Sequence, residues 1–137
     1  MINIKTPEQI AGIDAAGTIA AGCLEYLQRF IEIGVSTLEL NNHAKDYIEH
    51  HGAICAPLNY KGYPKETCIS LNECICHGIP DIDNVLEDGD ILNIDVTAIK
   101  DGYYGDTSRM YTVGDISQEA KDLIAVTKEC LNIGISQ

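Results

Sequence analysis

Positive charge is what this sequence has least of. Nine lysines and arginines stand against 21 aspartates and glutamates, a net charge of −12 over 137 residues. A surface with that balance repels phosphate backbones and anionic bilayers, which argues against direct nucleic-acid binding and against attachment to an acidic membrane. Long apolar runs are missing too: no stretch of about 18 consecutive apolar residues is there to span a bilayer. The opening residues MINIKTPEQI lack the apolar core of a signal peptide, so a cytoplasmic location is expected. Internal repeats and low-complexity segments are absent.

A second pair of metal ligands is also missing. The chain has six cysteines, and Cys74-Ile75-Cys76-His77 superficially suggests zinc. That spacing is not the usual one for a zinc loop, and no second pair completes it. Without a secretion signal, disulfides are not expected either, and the thiols are read as reduced and mostly buried.

What is present describes a globular domain. Hydrophobic residues make up 45% of the chain, enough for a real core in a single domain spanning 1–137. Thr6-Pro7-Glu8-Gln9 opens a helix with a capping box and proline at the first helical position. Ile10, Ile13, Gly17, Ala20, Leu24, Leu27 and Ile31 then form an apolar stripe, which predicts a helix over about 7–33 ended by Gly34. Ser36-Thr37-Leu38-Glu39 is a second capping box, with Leu40, Ala44 and Ile48 facing inward along a helix over about 37–51. His43, His50 and His51 on this helix are read as solvated or capping. A third helix over about 118–132, capped by Ser117, has Leu123, Ile124, Thr127, Cys130 and Leu131 on its apolar side. All three helices are expected to cover one side of a sheet spanning about 55–113.

The organising stretch is Ile91–Tyr111, two strands joined by a turn at Lys100-Asp101-Gly102. Leu92, Ile94, Val96 and Ala98 alternate as one apolar face, and Asn93, Asp95 and Thr97 occupy the other. If Lys100-Asp101 is the loop, Asp95 faces Asp106 directly. If Asp101-Gly102 is the loop, Asp106 faces Thr97 and Asp95 is its diagonal neighbour. Either register puts the two carboxylates on one face, about 5–8 Å apart. Like charges so placed call for a cation, no lysine or glutamate shares their face nearby, and Gly105 is expected to leave room beside Asp106. A divalent-cation site follows.

Before the hairpin, Cys55–Pro64 is too rich in proline and glycine for a central strand, and it carries Tyr60 and Tyr63 at a core rim or pocket. Strand character resumes from Thr67 to Ile79, ending at His77 beside Gly78-Ile79-Pro80. His77 there suits a structural hydrogen bond or a catalytic one. Asp81–Gly89 is an acidic loop.

The blocks NYKGYPKETCISLNECICHGIPD (Asn59–Asp81) and LEDGDILNIDVTAIKDGYYGDTSRMY (Leu86–Tyr111) resemble the first half of the type I methionine aminopeptidases. The resemblance implies the α/β "pita-bread" fold, two related halves around a curved antiparallel sheet, with this chain corresponding to the N-terminal half. It implies two divalent metal ions (cobalt, manganese, iron or zinc) held by five side chains, of which Asp95 and Asp106 match the two aspartates. His77 matches the substrate-contacting histidine, and Tyr60, Tyr63 and Cys68 match the methionine pocket. The expected activity is removal of the initiator methionine from nascent peptides. The other three ligands have no match, since none of the four histidines lies beyond Asp106. The isolated chain is therefore expected to hold at most one metal weakly and to be inactive alone. It reads as a truncated product or one half of a split enzyme with a complementary C-terminal half. The alternatives are a non-catalytic binding module, or a relic that keeps only cation binding. An apolar sheet face left open by the missing half would favour self-association.

Overall fold

The computed structural model describes residues 2–137. Its elements are α1 (Pro7–Leu27), α2 (Thr37–His50), β1 (Ile54–Cys55), β2 (Cys68–Leu71), β3 (Ile91–Lys100), β4 (Tyr103–Thr112) and α3 (Gln118–Ile135). The class is mixed α/β with an antiparallel sheet, and β3 is its spine. Along one edge β3 pairs with all of β4, and along the other it pairs first with β2 and then with β1.

The β3–β4 connection selects between the two registers. Lys100 pairs with Tyr103, leaving Asp101-Gly102 as the loop, with φ of 50° and 83°. A two-residue hairpin turn of this kind needs positive φ at both positions, which Asp and Gly tolerate far better than Lys. Asp106 consequently faces Thr97, and Asp95 faces Ser108.

Alternation then builds the core. Leu92, Ile94, Val96 and Ala98 are each 0% exposed and pack with Leu24 and Leu27 of α1 and Leu40, Ala44 and Ile48 of α2. Small residues let α1 lie close: a Cβ at Gly105 would overlap the α1 backbone at Ala16 and Gly17. The Tyr111 hydroxyl fastens the same helix by donating to the Leu24 carbonyl at 2.6 Å. Both capping boxes form, Thr6 with Gln9 and Ser36 with Glu39. Pro7–Phe30 has the length and apolarity to cross a membrane, but its inner face packs on the sheet as a core helix does.

Several expectations are corrected. The first helix ends at Leu27 and tightens into a 3-10 turn through Phe30, well short of 33. Its stripe shifts as well: Ile10 and Ile13 stay exposed, and Ala16, Ala20 and Cys23 do the packing where the helix crosses the hairpin. The strand after Thr67 stops at Leu71, because Asn72 enters the left-handed region at φ 47°. Its side chain accepts from the Ile91 N–H and donates to Asp90, which rewards the turn. Residues 56–67 and 72–90 therefore hold no named strand within the sheet expected over 55–113.

The third helix forms over a longer range than expected but buries no residue. Leu123, Val126, Leu131, Ile133 and Ile135 all stand exposed, so only α1 and α2 cover the sheet. The six thiols are free, yet Cys74, Cys76 and Cys130 are exposed, so burial is not their general state.

Candidate functional site

The face of the hairpin away from α1 and α2 lines a cleft of about 890 Å³, a volume typical of small-molecule sites. All six candidates from the sequence, Asp95, Asp106, His77, Tyr60, Tyr63 and Cys68, line this one space. The pleat explains the floor. Asp95 and Thr97 project from β3 on the side opposite its buried residues, and Asp106 projects from β4 beside them. Gly105 does not provide room there; it faces α1 on the other side of the sheet.

The two carboxylates feel each other. Partial burial raises the Asp95 carboxyl above its usual range, and the charge of Asp106 and a hydrogen bond with it push it further. His77 opposes this, drawing Asp95 back toward the ionised form. Such a pair, short of positive charge, is what a divalent cation relieves. Two carboxylates offer oxygen donors only, the chemistry of hard or borderline divalent ions. Among the described residues no group of three or more His, Cys, Asp and Glu side chains is placed to hold a metal, so the donor set fits an ion only in part.

The cleft's other side chains have limited chemistry. Tyr63 donates its hydroxyl to the carbonyls of Thr67 at 3.0 Å and Gly78 at 2.8 Å, so it offers the cleft a ring rather than a free acid. Burial raises the Cys68 thiol, with Asp95 and Asp106 adding to the rise. A neutral thiol is an apolar wall and a poor nucleophile. Tyr60 is exposed at the rim on a 3-10 turn, with Lys61 near its ring.

His77 adopts φ 56°, a left-handed backbone that costs a non-glycine residue free energy and is held here through the residue that follows it. The Gly78 N–H donates to Ser70 Oγ at 3.1 Å, while the Gly78 carbonyl accepts from Ile69 and from Tyr63. Gly78 itself lies so close to the Ile69 carbonyl that a Cβ would collide with it.

Tyr104, Ala56, Pro57 and Ile79 also line the cleft, and the sequence reading did not single them out. Tyr104 was within reach of a period-two argument, since it lies two residues before Asp106 on the same strand face. Ala56 and Pro57 sit on an irregular segment, where no periodicity points inward.

One cleft thus brings together the paired aspartates, the strained histidine, the aromatic rings and the neutral thiol. The model for metallopeptidase family M24 matches residues 11–137, and the chain belongs to that family. Methionine aminopeptidase A of Synechocystis is 48% identical over 134 residues, covering 98% of this chain and 53% of that protein. The crystal structure of methionine aminopeptidase from Rickettsia prowazekii matches with TM-score 0.91 and 50% identity, over 94% of this chain and 52% of its own. That of methionine aminopeptidase from Thermotoga maritima gives 0.93 at 34% identity, over 96% and 53%. The chain thus spans about half the length of the relatives it matches. The fold is accordingly one half of the pita-bread architecture expected from the sequence.

Proposed function

We propose that this chain supplies the substrate-binding half of a metal-dependent aminopeptidase that removes the initiator methionine from nascent proteins. The observation that carries the reading is the convergence of Asp95, Asp106 and His77 with Tyr60, Tyr63 and Cys68 around one cleft. Asp95 and Asp106 would hold the divalent metal, which when bound polarises the scissile carbonyl. The tyrosine rings and the neutral Cys68 thiol form an apolar wall that accepts a thioether side chain. The acidic floor favours a cationic free amino terminus over an internal peptide segment. His77, exposed at the cleft edge, is placed to hydrogen-bond the peptide where charge develops.

Two carboxylates are a small part of a two-metal site. Cobalt, manganese, iron and zinc all belong to the family's repertoire by resemblance, and the oxygen-only pair here favours Mn²⁺ over tightly held Zn²⁺. The remaining ligands, on this reading, come from polypeptide equivalent to the relatives' other half, in the same chain or in trans. The exposed apolar residues of α3 support such a partner, since an uncovered helix of this kind invites cover by the complementary half or by a second copy. Action on nascent proteins would place the protein in the cytoplasm.

The test is hydrolysis of Met-Gly-Met with millimolar Mn²⁺ or Co²⁺. The 137-residue chain alone is expected to sit at the metal-only blank, because groups that act as a unit are lost together. Adding the complementary half should restore turnover that Asp95→Ala abolishes. Restored turnover that survives Asp95→Ala would refute the assignment.

A further inference from the structure

The wall of the cleft that carries Tyr60, Tyr63 and Cys68 has almost no regular structure, yet it is fixed to α2 by one buried side chain. Asn41 is 1% exposed. Its Oδ1 accepts from the N–H and the Oγ1–H of Thr67, each at 3.0 Å, and its Nδ2 donates to Glu66 Oε2 at 2.7 Å. The amide cannot be turned round: the Thr67 N–H only donates and the Glu66 carboxylate only accepts, so each end of Asn41 has one possible partner. Lys45 approaches the other oxygen of Glu66 at 3.9 Å.

From Thr67 the connection continues into the site. The Thr67 carbonyl accepts from Tyr63, whose hydroxyl also reaches Gly78. Cys68 follows Thr67 in sequence, and His77 precedes Gly78. Beyond bonds internal to residues 57–63, the wall's backbone is tied down at one end by the Ala56 N–H donating to the Thr97 carbonyl at 2.9 Å and at the other by the pairing of β2 with β3 from Cys68 onward. Tyr63 and the lead into Cys68 are thus held, through Thr67, by one amide that lines no part of the cleft.

We propose that Asn41 is a positioning residue for this cleft: its amide, one donor end and one acceptor end, holds Thr67 and through it the Tyr63 ring and the lead into Cys68, and so sets the width of the pocket. The inference rests on the methionine-pocket reading for what the width selects, and on the hydrogen bonds alone for the positioning. Opposite the Glu66 carboxylate, an uncharged amide is required. Aspartate would keep the acceptor for Thr67 but would set a second carboxylate against Glu66.

The experiment uses Asn41→Asp and the double variant Asn41→Asp/Glu66→Gln, in which the introduced glutamine amide donates to the introduced carboxylate and the pair is restored with its polarity reversed. Two readouts are taken on the 137-residue chain. The first is the iodoacetamide labelling rate of Cys68 relative to core Cys23, resolved by mass spectrometry. The second is the affinity for L-methioninamide from amide NMR shifts.

In Asn41→Asp, Cys68 should label roughly tenfold faster relative to Cys23, because losing one buried hydrogen bond opens the wall locally. Added negative charge would by itself slow the reaction by disfavouring the thiolate, so a rise reports access. Methioninamide binding should weaken by a similar factor, and the double variant should recover both values to within about twofold. A parallel rise of Cys23 and Cys68 would show general loosening and overturn the proposal, as would an unchanged Cys68 rate or a double variant that fails to recover. If the labelling pattern holds while wild-type protein does not bind methioninamide, the positioning stands and the methionine-pocket reading fails.

Discussion

Asp106 lies diagonally across the β3–β4 hairpin from Asp95, with Thr97 directly opposite it, on the face that α1 and α2 leave open. The mutual repulsion of the pair makes the fold less stable at neutral pH than it could be. Asp95 has a folded-state pKa raised first by burial and then by Asp106. A raised carboxyl binds its proton more tightly in the folded state than in the unfolded one, whose value is about 3.9. Its contribution is therefore full below that value and is lost as pH rises through the folded-state value.

The first prediction follows from that sign. Without divalent metal, Asp95→Asn should gain stability over wild type as pH rises from about 4 to 7, and the two should converge toward acid pH. Urea unfolding at a series of pH values measures the difference. A gap that widens toward acid pH would contradict the raised carboxyl.

A second prediction concerns the close approach of α1 to β4. Gly105→Ala places a methyl group into the Ala16–Gly17 backbone, so the helix must move. Overpacking of this kind costs about 1–3 kcal/mol, and both sides here are backbone, which puts the loss at the upper end. Chemical denaturation should show it, and an unchanged midpoint would mean that the helix is not seated on Gly105.

A third prediction separates stability from function at His77. Its φ of 56° is a left-handed backbone that glycine adopts freely. His77→Gly should therefore be neutral or should stabilise the fold by up to about 1 kcal/mol, while abolishing turnover in the complemented enzyme. His77→Ala keeps the strain and should not be stabilised. A glycine variant as unstable as a core truncation would show that the imidazole is structural.

Much of this was legible in the sequence because alternation carries physical information. Leu92, Ile94, Val96 and Ala98 announce a buried face, which by itself places Asp95 on the opposite side. The register was open to one residue, and backbone sterics closed it: Gly102 can take positive φ and Lys100 is spared it. Other features depended on partners that the sequence does not display. The end of β2 is fixed by Asn72 bonding to Asp90 and Ile91, residues far along the chain. Nothing in the sequence distinguishes Asn41 from other polar residues of its helix, because its partners Glu66 and Thr67 lie far along the chain. The stripe Leu123, Ile124, Thr127, Cys130 and Leu131 was expected to pack on the sheet, but apolar spacing does not say what covers a helix, and α3 buries no residue.

The most direct test of the account is a Mn²⁺ titration of the 137-residue chain followed by paramagnetic broadening of its amide resonances. The cleft assignment predicts that Asp95, Thr97, Tyr104 and Asp106 broaden first, ahead of the acidic loop Asp81–Asp90, and that Asp106→Asn removes this priority. Broadening that begins in the Asp81–Asp90 loop, or that is the same in Asp106→Asn, would contradict a cation site between Asp95 and Asp106.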